Sequence, residues 1–477
     1  MEYDVIIGLE VHAQLNTATK AFCGCSTTYG AEPNTQVCPV CLGMPGVLPV
    51  LNRRMVEQAM LLALALNVKI HQRAKFDRKN YFYPDLPKGY QISQFDEPLS
   101  EHGYLIIELD GKTKRIGIRR VHLEEDAGKL LHQGDAGSLV DMNRCGVPLV
   151  EIVSEPDIRS PHEAALYLSK IRQLVRYLGI CDGNMEEGSL RCDANLSVHP
   201  RGSDTWGTPT EIKNMNSFRG VERALTAEKQ RQIELIERGE SVVRQSMLWD
   251  DIRQEVRPMR RKEQSDDYRY FPEPDLVMLE VDDAWIESIK QNLPELPWQK
   301  RERFVNAYGL RPYDADILTE EQETAAYFEQ LAEKVDDPKL AANWIIGEVL
   351  RWIKETGHTI TSFPITPDRL APLLKKVVSN ELSQSMAKEV MEIMVRSGKD
   401  AIAIITEKGL QKISDSDYLE KTIEEVLKPL EKEIARYRNG EERLLGFFVG
   451  QVMKATQGKA DPKLLNALIL KHLNRSE

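Results

Sequence analysis

The feature that most constrains the fold is a change of pattern at a proline-bearing segment, residues 292–301. Strand signals dominate before this segment. After it, apolar residues recur at helical spacing among dense Glu and Lys, in the windows 323–334, 338–355, 382–395 and 419–438. We therefore predict an α+β fold with a mainly antiparallel sheet at 1–292, followed by all-helical domains at 293–405 and 406–477.

Two strands and one helix of the first part can be placed from local signals. Apolar and polar residues alternate along 4–15 and again along 190–198, which is the period of a half-buried strand. The clearest helix is 161–178, because Ser160 is a good N-cap and Glu163 is placed to complete a capping box. Strands and helices in irregular order favour α+β over a regular parallel sheet.

Composition excludes several classes of protein. Hydrophobic residues make up 42% and charged residues 29%, which excludes wholesale disorder. The longest uncharged apolar stretch, 59–68, is too short to cross a bilayer. No basic leader precedes the first strand, so we expect a cytoplasmic protein. With a net charge of −11, nucleic acid could bind only through local basic patches.

Four of the seven cysteines form a metal-binding pattern. Cys23 and Cys25 are a CxC pair, and after twelve intervening residues Cys38 and Cys41 are a CxxC pair. Four thiolates suit a closed tetrahedral zinc site, which leaves no position open for catalysis. We therefore predict structural zinc in a knuckle at 23–41, with an iron–sulfur cluster or free thiols as the alternatives.

A second group of residues suits a hard divalent cation. Glu10 and His12 project from the same face of the first predicted strand. Glu125 follows a strand-like stretch and Glu151 sits inside an apolar run, so both carboxylates are expected to be buried. If each carboxylate forms an ion pair with an arginine, its role is structural. If the carboxylates together bind Mg²⁺, their role is functional. Asp193, on the polar face of its strand, is a further candidate ligand.

Several common motifs for nucleotide binding and nucleophilic catalysis are missing from the sequence, which limits the ways in which this protein could bind ATP. The sequence has no P-loop, no GxGxxG before a helix and no GxSxG elbow. Any ATP chemistry must therefore use carboxylate-bound metal and isolated basic residues. Polar segments rich in aromatic residues supply such bases, although hairpin packing is the alternative role for each segment. The bases that these segments supply are Arg78, Lys79, Lys88, Arg191, Lys213 and Arg269.

These motifs carry a resemblance to a known family. The segments 8–12, 38–46, 48–52, 76–84, 185–195, 266–275 and 444–455 together resemble the B subunit of the bacterial-type aspartyl/glutamyl-tRNA amidotransferases, nearly from end to end. The last segment resembles the family's YqeY-like tail. The resemblance implies a cradle domain likened to glutamine synthetase, with a helical middle domain and a tail that dock tRNA.

The resemblance also implies an activity. The family uses ATP to phosphorylate the side-chain carboxylate of Glu on tRNA(Gln) or of Asp on tRNA(Asn), and ammonia then displaces the phosphate. The ammonia comes from a separate amidase, the A subunit, and a small C subunit completes the heterotrimer. Two rival interpretations are a non-catalytic zinc-stabilised RNA-binding scaffold and a metal-dependent hydrolase.

Carried over residue by residue, the resemblance assigns roles to the candidates. The implied Mg²⁺ ligands are Glu10, His12, Glu125 and Glu151. Asp193 is a further candidate ligand, and Glu124 is the alternative to Glu125. ATP phosphates and substrate positioning go to Arg78, Lys79, Lys88 and Arg191, and zinc goes to Cys23, Cys25, Cys38 and Cys41. Residues 444–477 include five basic and two acidic residues, so this segment has a net positive charge. We therefore expect tRNA contacts at Lys454 and Lys459.

Overall fold

A computed structural model describes most of the chain and divides it into two compact units, Met1–Pro297 and Trp298–Glu477. The described residues are 2–109, 111–132, 137–203, 205–260, 268–410, 416–456 and 460–474. No helix within these ranges combines the length and the apolar character needed to cross a bilayer.

The first unit is built on β-strands. In chain order, the strands of the described ranges are β1 Tyr3–Gln14, β2 Lys69–Ile70, β3 Arg73–Ala74, β4 Asp77–Asn80, β5 Tyr90–Ser93, β6 Ser100–Leu109, β7 Lys112–Glu125, β8 Lys129–His132, β9 Ser138–Asp141, β10 Pro148–Ser154, β11 Leu190–Pro200, β12 Thr210–Lys213, β13 Ser246–Asp250, β14 Glu255–Arg260, β15 Phe271–Pro272 and β16 Leu279–Glu280.

Nine of these strands form one sheet with β1 near its centre. The order is β14-β13-β12-β11-β1-β10-β7-β6-β2, and every neighbouring pair is antiparallel except β12 and β13. The predicted mainly antiparallel sheet is therefore confirmed. Smaller sheets join β15-β4-β5, β16-β3 and β8-β9, and β5 packs against β7.

The alternation predicted for β1 explains its central position. Its apolar residues Val5, Ile7, Leu9, Val11 and Ala13 are at most 5% exposed. Within the described ranges, helices α1 (Arg53–Ala65), α2 (Pro161–Tyr177) and α3 (Phe218–Glu237) pack on the large sheet. The other face of β1 carries polar residues and is the face on which the candidate site is built.

The predicted capping box of α2 is confirmed for Ser160 and wrong for Glu163. Ser160 Oγ accepts the N–H of Glu163 at 3.1 Å, as predicted. The Glu163 carboxylate, however, accepts the N–H of Arg159 at 2.8 Å rather than that of the cap residue. It also holds Lys114 Nζ at 2.6 Å, so the side chain is drawn towards β7. The helix ends at Tyr177, just before Gly179 takes a positive φ of 64°.

The rest of the described chain is helical. After α4 (Asp283–Gln291), the helices are α5 Pro297–Tyr308, α6 Pro312–Leu318, α7 Gln322–Val335, α8 Pro338–Trp344, α9 Leu350–Thr356, α10 Pro367–Val378, α11 Gln384–Ser397, α12 Ala401–Lys408, α13 Ser416–Leu427, α14 Glu431–Arg438, α15 Leu444–Ala455 and α16 Pro462–Leu473. A π-helical turn, Ile345–Val349, joins α8 to α9, and 3₁₀ turns cover Ile360–Ser362 and Lys428–Leu430.

The described residues of the helical unit form two separate apolar cores. One contains buried residues between Phe304 and Leu410, and the other contains buried residues between Leu419 and Leu473. The α+β class is thus confirmed, with helices after the sheet. The three predicted domain ranges stay predictions.

Candidate functional site

Strand register brings two histidines and a glutamate into one row. On the polar face, His12 of β1 is the cross-strand partner of Glu151 on β10, and Glu151 is in turn the partner of His122 on β7. Both imidazole Nε2 atoms lie 3.4 Å from Glu151 Oε2. Antiparallel pairing therefore builds this row without any loop.

Glu124 completes the cluster. It lies two residues beyond His122 on β7 and so points to the same face, with Oε1 3.6 Å from His12 Nε2. One ligand atom from each of His12, Glu124 and Glu151 lies within 4.8 Å of the others. The side chains of the two carboxylates are only 4% and 11% exposed.

The structure does not bring Glu125 to this cluster, contrary to the expectation that it shares the site. Glu125 follows Val121 and Leu123, whose side chains are fully buried on the core face of β7. It forms an ion pair with Lys88 and accepts the N–H of Ile92 at 2.9 Å. Because a one-residue step along a strand reverses the face, Glu124 points to the cluster and Glu125 does not. The same ion pair occupies Lys88, which was expected to bind phosphate.

The ionisable side chains of the cluster shift one another's pKa values strongly. Burial lowers the pKa of His12, but Glu151 and Glu124 together outweigh it and raise the pKa to about 9. Burial and the charge on Glu151 raise the pKa of Glu124. Burial also raises the pKa of Glu151, but the charge and hydrogen bond of protonated His12 outweigh it and hold that pKa well below its usual range. Burial also lowers the pKa of His122 to about 3, so this imidazole is neutral. Two neighbouring carboxylates whose pKa values diverge in this way mark a candidate functional site.

The donor set fits one divalent ion. Mg²⁺ and Mn²⁺ take oxygen-rich octahedral sites with ligands about 2.1 Å from the ion, so adjacent ligands lie roughly 3 Å apart. The separations of 3.4 and 3.6 Å from His12 Nε2 are near this value. Two carboxylates and one imidazole leave positions open for water or phosphate oxygens.

Lys79 brings an uncommitted positive charge to the cluster. Its Nζ lies 4.9 Å from the ring centroid of Tyr268, and no carboxylate forms an ion pair with it in the described residues. Burial lowers its pKa, but Tyr270, Glu124 and Glu151 outweigh burial and raise it. An ammonium held between tyrosine rings and acids is available for an anionic ligand.

Arg191 lies beside the cluster but is already paired. It is the cross-strand partner of His12 on β11. Its Nη2 lies 3.1 Å from Asp126 Oδ1, while Gln14 donates to the other oxygen at 2.7 Å. Burial raises the pKa of Asp126, but Arg191 and Arg144 outweigh it and lower the pKa. The structure thus brings Arg191 to the site and fixes its orientation.

Glu10 and Asp193 face each other on β1 and β11, one row from His12. Glu10 accepts a hydrogen bond from Asn195 Nδ2 at 2.9 Å. Asp193 is neutralised by Lys213, with Nζ 2.6 Å from Oδ2. Neither belongs to the three-residue cluster. Glu10 and Glu151 nevertheless lie on one face of adjacent strands, as a shared site requires.

Arg78 lies in a different setting from the one expected. Its guanidinium makes two bonds to Glu273, at 2.7 and 2.8 Å, and a third contact to Asp275 at 3.1 Å. Its guanidinium carbon also lies 4.2 Å from the ring centroid of Tyr90. Arg78 therefore ties β4 to the segment that follows β15 as a structural clamp, rather than pointing a free charge at a ligand.

A cavity of about 310 Å³ adjoins the polar face of β1. Its lining includes Gly8, Glu10, Ser154, Trp206 and Arg244. The Trp206 side chain is 63% exposed, and Arg244 makes no ion pair within the described ranges. An exposed indole beside a free guanidinium offers stacking and charge to a planar, anionic ligand.

The four knuckle cysteines converge as expected. Their Sγ atoms all lie within 4.8 Å of one another, and those of Cys38 and Cys41 are 3.9 Å apart. Zinc–sulfur bonds of about 2.3 Å in a tetrahedron separate sulfurs by roughly 3.8 Å. A hydrogen bond from Cys23 is the largest cause that lowers the pKa of Cys41 to about 4. The donor set therefore fits a closed zinc site.

Of the two tail lysines, one can be described. Lys454 is exposed near the end of α15. Lys459 lies outside the described residues. The exposed position of Lys454 is compatible with contact to a polyanion.

Sequence reasoning missed His122 and Lys20. His122 and Glu124 are two residues apart in the sequence. Since side chains two residues apart on a strand project from the same face, the position of His122 beside Glu124 was predictable. Lys20 is 1% exposed and donates from Nζ to Cys41 Sγ at 3.7 Å. No pattern in the sequence marks that lysine as buried.

Comparison with known proteins gives a match over most of the chain. Residues 5–287 match the family model described as "GatB/GatE catalytic domain", and residues 326–473 match the one described as "GatB domain". The match to a catalytic domain favours the enzymatic interpretation over the non-catalytic scaffold.

Three relatives are each described as the B subunit of an aspartyl/glutamyl-tRNA(Asn/Gln) amidotransferase. The chain is 57% identical to that of Thermodesulfovibrio yellowstonii, covering 99% of this chain and 100% of the relative. It is 54% identical to that of Geobacter sulfurreducens over 99% and 100%, and 53% identical to that of Carboxydothermus hydrogenoformans over 98% of each. The chain belongs to the family of aspartyl/glutamyl-tRNA(Asn/Gln) amidotransferase B subunits.

Proposed function

We propose that the protein phosphorylates the side-chain carboxylate of Glu on tRNA(Gln), or of Asp on tRNA(Asn), and that ammonia then converts the acyl phosphate to the amide. The observation that carries this proposal is the buried cluster of His12, Glu124 and Glu151. Family membership supports it, because the relatives' names specify amidotransfer on these tRNAs.

The chemistry requires strong charge compensation. A carboxylate oxygen of the substrate attacks the γ-phosphorus of ATP, the bond to ADP breaks, and an acyl phosphate forms. Both reactants are anions, so their approach is unfavourable in a site of low dielectric. We assign Mg²⁺ to His12, Glu124 and Glu151, where it would neutralise phosphate charge. These three side chains are held in place by the register of β1, β7 and β10.

Lys79 and Arg191 are the cations we assign to the reacting phosphate. Lys79 lies close enough to Glu124 and Glu151 for their charges to raise its pKa, so it stays protonated at neutral pH. Arg191 is oriented by Asp126 beside His12. Fixed positive groups of this kind need no reorganisation when charge develops in the transition state.

The cavity beside Glu10 is our assignment for the nucleotide base. Glu10 lies two residues from His12 on the same face of β1, a separation of about 7 Å along the strand. Trp206 offers a face for stacking and Arg244 a positive charge, both at the cavity wall. A nucleotide whose base occupies this cavity can direct its phosphates towards the cluster.

The second half-reaction needs ammonia and partner proteins. Ammonia attacks the carbonyl carbon of the acyl phosphate, phosphate leaves, and the amide remains. The relatives are named as one component of a larger enzyme. We propose that an amidase, the A subunit, supplies the ammonia and that a small C subunit is the third component. We further propose that zinc in the cysteine knuckle is structural, and that the tail binds tRNA through Lys454 and Lys459.

One assay tests the function. The protein, with any partner proteins that co-purify, is incubated with ATP, Mg²⁺, an ammonium salt and Glu-tRNA(Gln), and ADP and Gln-tRNA are quantified. We expect both products, and loss of both in the Glu151→Gln variant. A scaffold would give neither product. A hydrolase would give ADP or free tRNA without any amide, which would contradict the proposal.

A further inference from the structure

Lys20 is a buried ammonium without a carboxylate partner. Its side chain is 1% exposed, and it is among the largest fully buried side chains of the described residues. No Asp or Glu forms an ion pair with it within those residues. A buried charge is tolerated only when other groups compensate for it, so its surroundings must supply negative charge.

The ammonium contacts a thiol of the cysteine knuckle and one backbone oxygen outside it. Lys20 Nζ donates to Cys41 Sγ at 3.7 Å and to the backbone oxygen of Met142 at 3.3 Å. Its backbone N–H donates to the backbone oxygen of Cys25 at 2.9 Å. Lys20 therefore contacts both cysteine pairs, one through its side chain and one through its main chain.

The main chain at Gly146 also packs against this lysine. Gly146 has a φ of +81°, and a Cβ there would lie 3.5 Å from Lys20 Cδ, 3.6 Å from Cys41 Cβ and 3.7 Å from Glu125 Oε2. The main chain is joined at the same point, because Ala21 N–H donates to the Gly146 oxygen at 2.8 Å. The position of the ammonium is thus set by packing as well as by its hydrogen bonds.

We propose that Lys20 is the positioning residue of the zinc site, where its ammonium donates to the metal-bound sulfur of Cys41 and offsets part of the charge of the tetrathiolate. Four thiolates around Zn²⁺ carry two net negative charges, which is unfavourable inside a protein. Hydrogen bonds to ligating groups orient them and tune the metal. This inference rests on the zinc assignment and not on the amidotransferase activity.

The test measures zinc directly. Wild type, Lys20→Met and Lys20→Gln are purified with zinc, and zinc content and transfer to a competing chelator are measured. Lys69→Met, at an exposed lysine of β2, is the matched control. We expect Lys20→Met to weaken zinc affinity by about 10- to 100-fold and Lys20→Gln, which keeps a donor but no charge, by less. The control should match the wild type.

A spectroscopic readout separates positioning from general destabilisation. In the Co²⁺-substituted protein, loss of the ammonium should shift the thiolate-to-cobalt charge-transfer band of Lys20→Met but not of Lys69→Met. An unchanged band together with unchanged zinc affinity would overturn the role of Lys20. Wild type that binds no zinc would overturn the zinc assignment as well, while leaving the proposed activity untouched.

If the Lys20→Met variant does not fold, the comparison of Lys20→Arg with Lys20→Gln tests the proposal instead. Lys20→Arg keeps the charge, so near-normal zinc affinity together with weaker binding in Lys20→Gln supports the proposal. Equal losses in both variants contradict it, because the charge would then make no difference.

Discussion

His12 and Glu151 face each other across β1 and β10, with Nε2 3.4 Å from Oε2. The pair is the centre of the candidate site, because Glu124 and His122 both reach it from β7. Its geometry is set by main-chain hydrogen bonds on both sides, so the ligands are positioned before any ion arrives.

Single substitutions of the neighbouring Glu124 and Glu125 should have different effects, one on metal binding and the other on stability. We expect Glu124→Gln to weaken Mn²⁺ binding by at least about tenfold, since a charged ligand is lost. Glu125→Gln should keep Mn²⁺ affinity within about threefold and instead lower the melting temperature, because the Lys88 ammonium loses its carboxylate. Titration followed by electron paramagnetic resonance measures the binding. The reverse pattern would return the ligand role to Glu125.

Metal affinity should depend on pH through His12. Its pKa of about 9 in the metal-free protein means that the imidazole is protonated at neutral pH and must lose a proton to bind a cation. Mn²⁺ affinity is therefore expected to rise with pH by up to about tenfold per unit and to level off near pH 9. Calorimetric titrations from about pH 6.5 to about pH 9.5 measure this, and His12→Gln should flatten the profile. A flat profile in the wild type would contradict the assignment.

Arg78 and Glu273 should act as a structural pair. Removal of the guanidinium in Arg78→Met leaves the fully buried Glu273 unpaired, which should cost about 3 kcal/mol of unfolding free energy. Arg78→Met combined with Glu273→Gln should recover part of this loss. Denaturant unfolding measures the stabilities. A large rise in KM for ATP without loss of stability would instead support the original prediction of a phosphate contact.

Trp206 should contribute to nucleotide binding. Stacking of a base on an aromatic side chain contributes about 1–3 kcal/mol, so Trp206→Ala should raise KM for ATP by at least about fivefold with little change in kcat. Trp206→Phe keeps a stacking surface and should stay close to the wild type. Steady-state assays with saturating aminoacyl-tRNA separate the two constants. An unchanged KM in Trp206→Ala would remove this cavity from the nucleotide site.

The tail should bind tRNA electrostatically. Lys454→Ala is expected to weaken tRNA binding and to reduce the slope of log affinity against log salt by about 1, since one phosphate contact is lost. Lys112→Ala, at an exposed residue of β7, is the control and should leave the slope unchanged. Filter binding across a salt series measures both variants. Equal slopes in all three proteins would exclude Lys454 from the RNA interface.

Local features were readable from the sequence because their causes lie within a few residues. Ser160 caps α2 through its own hydroxyl, and the alternation of β1 follows from the period of a strand. The spacing of the cysteines was enough to predict that their sulfurs converge. The π-helical turn Ile345–Val349 was not predicted, since the apolar spacing of 338–355 suits an uninterrupted α-helix.

The sequence by itself determined the class of fold, the strand that carries His12, the cysteine quartet and the set of acids from which a metal site could be built. Only the tertiary structure decided which acids meet. Glu124 joins His12 because β7 pairs with β10 in one register, while Glu125, one residue on, faces the core and Lys88. The same holds for Arg78 and Asp193, whose partners Glu273 and Lys213 are distant in sequence or on another strand. The charge that a side chain leaves available depends on its neighbours in space, and those are set by strand pairing and packing.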